Sequence, residues 1–231
     1  MKRISVLLLC LLFTIFYPQA GNLLASHFCS LFGITWFYVH HFVQLILALA
    51  TILLFVYFFA RKPLSDWGFS LNNWRWSLFT SIKFAAGWIL VSVVLNLLFA
   101  FENHIQYERS LLNITADLFF DIIITPLSEE ILFRGLIMSL IIFYWPGKII
   151  IGKLKISYAV IFSTLFFCLA HVGINLKNLS IDNIDVMQLM FTLGLGIFYA
   201  YMREKTGSLL GPLIAHGISD GSITVIQLIL L

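Results

Sequence analysis

Polar residues along this chain gather between long apolar runs instead of alternating with them. The runs fall at roughly 4–20, 28–60, 78–100, 114–143, 157–172, 187–202 and 208–231. A helix needs about 20 apolar residues to cross the hydrocarbon core of a bilayer. Continuous runs do not fit the period-two alternation of membrane β-strands. The pattern predicts an all-α fold, a polytopic transmembrane helical bundle of about seven spans, within limits of six and eight. The second run is long enough for one tilted helix plus an interfacial or re-entrant piece near Trp36 to His41.

Basic residues support seven. Lys2 and Arg3 precede the first run, and Arg61 and Lys62 follow the second. Lys148, Lys153 and Lys155 fall between the fourth and fifth, and Arg203 and Lys205 between the sixth and seventh. Seven alternating spans put all of these on one side. The opposite loops keep only Arg109 and Lys177, beside Glu102, Glu108, Asp182 and Asp185. That asymmetry is the positive-inside pattern and predicts a cytoplasmic N-terminus. The turn-rich stretch near 61–77, ending in Trp74-Arg75-Trp76, has the aromatic and basic mixture of a membrane–water interface.

Composition agrees with this picture. Of 231 residues, 61% are hydrophobic and 11% charged, against about 25% charged in soluble domains. The chain is therefore read as an integral membrane protein, with the lipid bilayer as its first partner. A net charge of +3, small and dispersed, gives no reason to expect a nucleic-acid partner. Cys10, Cys29 and Cys168 lie in apolar runs without CxxC spacing and read as small buried residues. Lys2-Arg3 and the apolar residues after them resemble a signal peptide with a conceivable cleavage point after Ala20, although a retained first helix is the preferred reading.

Charged groups inside the runs are the exception that demands chemistry. Glu129, Glu130 and Arg134 lie within six residues of one another on an apolar span, where each charge costs about 2.5–3.5 kcal/mol on insertion scales. Residues four apart share a helical face, so Glu130 and Arg134 can pair while Glu129, about 100° away, points elsewhere. His216 and Asp220 share a face in the same way, as do Phe167 and His171. At 1.5 Å per residue, Glu129 and His171 lie roughly 22 and 21 Å from the cytoplasmic ends of their spans, and His216 and Asp220 roughly 12 and 18 Å. Three helices thus bring polar groups to overlapping depths, and a shared internal site with a water-accessible cavity is expected.

Glu129-Glu130 with Arg134, Phe167 with His171, and His216 with Asp220, in that order on apolar helices, resemble the motif set of the CAAX prenyl protease and bacteriocin-processing family of intramembrane endopeptidases. Pro126, Phe133-Arg134-Gly135, Ser163-Thr164 and Gly207-Ser208-Leu209 agree with it. The resemblance covers about residues 114–225. It divides the chain into N-terminal helices at 1–113 and a catalytic core at 114–231. It implies that Glu129 is the general base for a water positioned by His171, and that His216 and Asp220 stabilise the oxyanion. Glu130 and Arg134 would support them. The substrate would be a peptide or protein at the membrane, either a membrane-associated segment or the C-terminal sorting segment of an exported protein; one branch of the family acts on prenylated proteins. A bacterial-type inner membrane is the expected location. Many relatives carry Asn at the position of Asp220, and Gly is common at Cys168.

Other readings remain beside this one. Glu129, His171 and His216 also make a credible zinc set, since catalytic zinc takes three protein ligands and a water. No His-Glu-x-x-His helix is present, and the resemblance favours a mechanism without cofactor. The charged residues could instead fix helix packing in a non-catalytic immunity protein or scaffold. A small-solute carrier would show inverted repeats, and none is seen. Asp117 and Asp121 read as interfacial and solvated, with a role in substrate entry as the alternative, His104 as a loop residue, and His40 and His41 receive no chemistry.

Overall fold

Why the apolar runs become helices, and where each one stops, is seen in a computed structural model. It describes residues 2–32, 36–59, 61–99, 110–175, 178 and 180–230. Helix α1 (Arg3–Phe32) passes through Pro18, and α2 (Trp36–Leu54) runs on into a π-helical segment, Phe55–Phe59. Helix α3 spans Trp74–Phe99. The fourth apolar run is one rod of 34 residues, Leu111–Tyr144. Within it α4 (Leu111–Phe119), α5 (Thr125–Glu130) and α6 (Met138–Tyr144) alternate with π-helical segments at Phe120–Ile124 and Ile131–Ile137. Helices α7 (Tyr158–Ala170), α8 (Val186–Thr206) and α9 (Leu210–Leu230) complete the bundle. Local signals set several ends: Ser110, Ser157 and Asp185 cap α4, α7 and α8 by accepting from backbone N–H groups, and Gly207 closes α8 at φ +70°.

Helices α1 and α2 pack together and against Ile131–Ile137, while α7 lies beside α1, α6 and α8, and α3 lies along α9. One core therefore joins Val6, Cys10 and Ile52 of the N-terminal helices to Leu132, Leu136, Met138 and Phe167 of the C-terminal part. A smaller cluster around Tyr199, Met202 and Ala215 packs with Trp76, Phe84 and Phe198 between α3, α8 and α9. Two antiparallel hairpins sit in the connections: β1 (Lys148–Ile151) with β2 (Leu154–Ser157), and β3 (Gly173–Asn175) with β4 (Ser180–Asn183).

Helices occupy all seven apolar runs, and four of them are long and apolar enough to cross a membrane. Helix α7 has 13 residues because it ends just before His171; α8 and α9 have 21 each but carry polar groups. The second run is divided differently from the expectation. Its first residues finish α1, and Trp36 to His41 open α2, so no separate re-entrant piece exists there. The point after Ala20 lies inside α1. Arg3 lies over the Trp145 ring, Lys62 over Phe143, and Lys148 pairs with Glu204, which places these cations at one end of the bundle. Arg109, Lys177, Glu102, Glu108 and His104 lie outside the described residues. Cys10 is buried, whereas Cys29 and Cys168 are only partly so.

The stretch expected at the interface is mostly exposed but sends one side chain inward. A 3₁₀ turn, Leu64–Trp67, buries Trp67 completely between Phe55 and Phe143. Gly68, at φ +100°, accepts at its carbonyl from the Leu209 N–H, and the Ser208 hydroxyl donates to the Ser70 carbonyl. Arg203 donates to the Asp66 carbonyl at 2.9 Å.

Close backbone approach lets α9 reach the α5 rod. A Cβ on Gly217 would stand 2.3 Å from the Ile122 carbonyl oxygen, and one on Gly221 2.4 Å from the Ile122 side chain. Backbone oxygen cannot rotate away as a side chain can. Gly217→Val is expected to destabilise the protein by more than the about 1–3 kcal/mol of ordinary overpacking. Thermal unfolding in detergent checks this, with Gly87→Ala, which meets nothing within 4 Å, expected at the wild-type midpoint.

Candidate active site

Glu130 is the last residue of α5 and is fully buried. Its Oε1 accepts from Arg134 Nη1 at 2.8 Å, the i,i+4 pairing that the spacing allows, and stands 2.8 Å from His216 Nδ1 on α9. Arg134, also fully buried, donates through Nη2 to the Gly196 carbonyl on α8 at 3.1 Å. Its guanidinium lies 4.2 Å above the Phe167 ring of α7 and 5.5 Å from that of Tyr199 on α8. Gly196 permits this meeting, because a Cβ there would come within 3.1 Å of Thr164 and 3.4 Å of Arg134 Nη2. One ion pair thereby touches α5, α7, α8 and α9.

His216 is the hinge between that buried pair and the open groups. Its Nε2 is 3.2 Å from Asp220 Oδ2 and 3.7 Å from Glu129 Oε2. Both ring nitrogens therefore face carboxylate oxygens, and ionised carboxylates only accept. The ring stacks on Tyr199 at 5.0 Å and 19°, and the Tyr199 hydroxyl meets Ser219 Oγ at 2.6 Å. Side-chain exposure rises outward, from 0% at Glu130 through 6% at His216 and 14% at Glu129 to 30% at Asp220.

His171 is the first residue after α7. It is held by Nδ1 donating to the Phe167 carbonyl at 2.8 Å, with its ring against that of Phe167. The carbonyl can only accept, so Nδ1 carries a proton and Nε2 is left for another partner. Glu129 has His171, His216 and Asp220 all within Coulombic range. A cavity of about 460 Å³ reaches this group. His171, His216 and Asp220 line its polar end; Trp88, Phe191 and Leu195 are among its apolar walls, and Asp185 lies at its other limit.

The residues expected from the motifs thus come together: His171, His216 and Asp220 line the cavity, Glu129 stands 3.7 Å from His216, and Glu130 and Arg134 are packed beneath. Among the described residues no three His, Cys, Asp or Glu side chains converge as a ligand set, Glu129, His171 and His216 included. Three contributors were not anticipated. Tyr199 flanks His216; Asp121, expected in solvent, takes a hydrogen bond from Thr224 of α9; and His41 bonds to Ser128 beside Glu129. The signal for His41 was present in the sequence, since it too is an ionisable residue in an apolar run.

These features define a polytopic helical membrane protein whose interior carries a carboxylate–histidine site beside a cavity. Residues 110–222 match the family described as Type II CAAX prenyl endopeptidase Rce1-like, which supports the resemblance of the motif set to the CAAX prenyl protease and bacteriocin-processing family. No curated protein and no solved structure matches the chain.

The buried pair makes a direct prediction. Removing one partner leaves the other charge unpaired in a low-dielectric interior, which costs about 3–5 kcal/mol. Arg134→Met is expected to lower the denaturation midpoint severely, and Glu130→Gln with Arg134→Met to recover part of that loss, as read by unfolding in detergent.

Proposed function

We propose that this protein is an intramembrane endopeptidase that hydrolyses a peptide bond with a Glu129-activated water. The observation that carries the reading is that His171, His216 and Asp220 line one end of a cavity with Glu129 3.7 Å from His216, above a buried pair that fixes their helices. Glu129 takes a proton from a water held by His171 Nε2, and the water oxygen bonds to the scissile carbonyl carbon. The carbonyl oxygen gains negative charge as the tetrahedral intermediate forms. His216, whose Nε2 lies nearest the open side of the site, stabilises that charge. Asp220 orients that ring. The proton on Glu129 then passes to the amide nitrogen, the C–N bond breaks, and the amine departs.

Cavity shape bears on the substrate. Apolar walls of Trp88, Phe191 and Leu195 next to the polar end suit a peptide with a bulky apolar side chain beside the cleaved bond. The cavity extends toward Asp185, the cap of α8, away from the end that holds Arg3, Lys62 and Lys148. With the positive-inside orientation, that opening faces the non-cytoplasmic side of a bacterial-type inner membrane, and a membrane-associated or exported segment is the substrate. Burial of the Glu130–Arg134 pair also favours a second reading, a scaffold in which these charges only hold helices together.

Glu129→Gln separates the two. It preserves shape and leaves the buried pair intact, and removal of a general base lowers turnover by about 10²–10⁴-fold. Peptide termini in membrane and secreted fractions are compared between cells carrying wild type and Glu129→Gln at equal expression. New termini with wild type only establish the protease; identical termini at equal protein level return the scaffold.

A further inference from the structure

The helix that carries Glu129 has little backbone support of its own. Helix α5 has six residues and π-helical segments on both sides, and such segments interrupt the regular i→i−4 ladder. Its C-terminal residue, Glu130, is fixed by Arg134 and His216. The residue on the other side of Glu129 is Ser128, fully buried, and its hydroxyl donates to the Thr125 carbonyl at 2.9 Å. That single proton is then used, so the 2.7 Å contact between Ser128 Oγ and His41 Nδ1 has the imidazole N–H as donor.

His41 belongs to α2, outside the segment that matches the family. It is buried, with its ring edge-on to Phe37 and Phe120 and within Coulombic range of His171 and His216. An apolar residue could fill this place without the cost of burying a polar ring. The arrangement continues backward. His40 donates to Asn22 Oδ1 of α1 at 2.7 Å, and Gly21 lets α1 approach, since a Cβ there would lie 2.9 Å from the His40 carbonyl oxygen. The line Asn22, His40, His41, Ser128 thus runs from the first helix to the neighbour of Glu129.

We propose that His41 is a positioning residue for Glu129, acting through its hydrogen bond to Ser128, so that the N-terminal helices supply part of the site. The role assigned to Glu129 rests on the protease reading above; the hydrogen bond and its effect on α5 do not. His41 fixes the rotation of α5 about its axis from one side while Arg134 and His216 fix it from the other. Glu129, between these anchors, is then aimed at the water without a rigid bond of its own.

The test uses the full-length protein in detergent or lipid, with His41→Phe, which keeps the volume and aromatic contacts, and His41→Asn, whose amide N–H can replace Nδ1–H. In His41→Phe, amide exchange of peptides covering 125–130 is expected to rise about tenfold, the scale of one net hydrogen bond. On a synthetic peptide spanning a Glu129-dependent cleavage point, kcat is expected to fall about 10²-fold with KM unchanged, the scale of a small misplacement. His41→Asn restores both. Ser128→Ala reproduces His41→Phe, and the double variant loses no more than either single one. Wild-type exchange in His41→Phe, failure of His41→Asn to restore it, or additive losses overturns the proposal. Equal cleavage by wild type and Glu129→Gln overturns the protease reading instead, and exchange at 125–130 still decides whether His41 holds the helix.

Discussion

A carboxylate with no access to water organises this molecule. Glu130 is fully buried, and one of its oxygens is shared by Arg134 and His216. In a low-dielectric interior neither the acid nor the guanidinium is tolerable alone, while together and hydrogen-bonded they are. The need to keep them together decides which helices lie in the centre. Arg134 reaches Gly196 of α8 and lies on Phe167 of α7, and His216 brings in α9. Small residues then set the distances, with Gly196 beneath the guanidinium and Gly217 and Gly221 against Ile122. Helices cannot be driven together by hydrophobicity in lipid, so polar pairing and close backbone contact do that work.

Around this fixed centre the exposed part of the site is left comparatively free. Exposure grows from Glu130 to His216, Glu129 and Asp220, which separates the groups that hold position from those that are open to the cavity side. The π-helical segments on either side of α5 contribute to the same division. They isolate one short α-helical turn, on which Glu129 and Glu130, adjacent in sequence and about 100° apart around the axis, face different surroundings. Irregular helical hydrogen bonding of this kind is frequent at functional sites.

Local geometry was legible in the sequence and long-range geometry was not. The Glu130–Arg134, Phe167–His171 and His216–Asp220 relations follow from a four-residue step on a helix, and each appears as a contact. The second partner of Glu130, His216, lies 86 residues away, and no periodicity reports such a distance. The burial of Trp67 within the turn-rich stretch depends on Phe55 and on Phe143, 76 residues along the chain, and no local pattern announces it. His41 was visible as an ionisable residue in an apolar run, but belonged to no motif and was set aside. The boundary between α1 and α2 was missed because Gly33, Ile34 and Thr35 do not stand out from the apolar residues around them.

The sharing of Glu130 between near and distant partners has a consequence in time. Arg134 is made four residues after Glu130, and His216 only 86 residues after it. At about 5–20 residues per second, that interval is roughly 4 to 17 s of synthesis. Throughout it the nascent chain holds its acid neutralised by arginine and lacks the histidine that faces the cavity. Its last helix, docked by Gly217 and Gly221, closes the arrangement. An unfinished copy in the membrane therefore lacks the complete cluster, and order of birth alone keeps the polar groups from assembling before the fold.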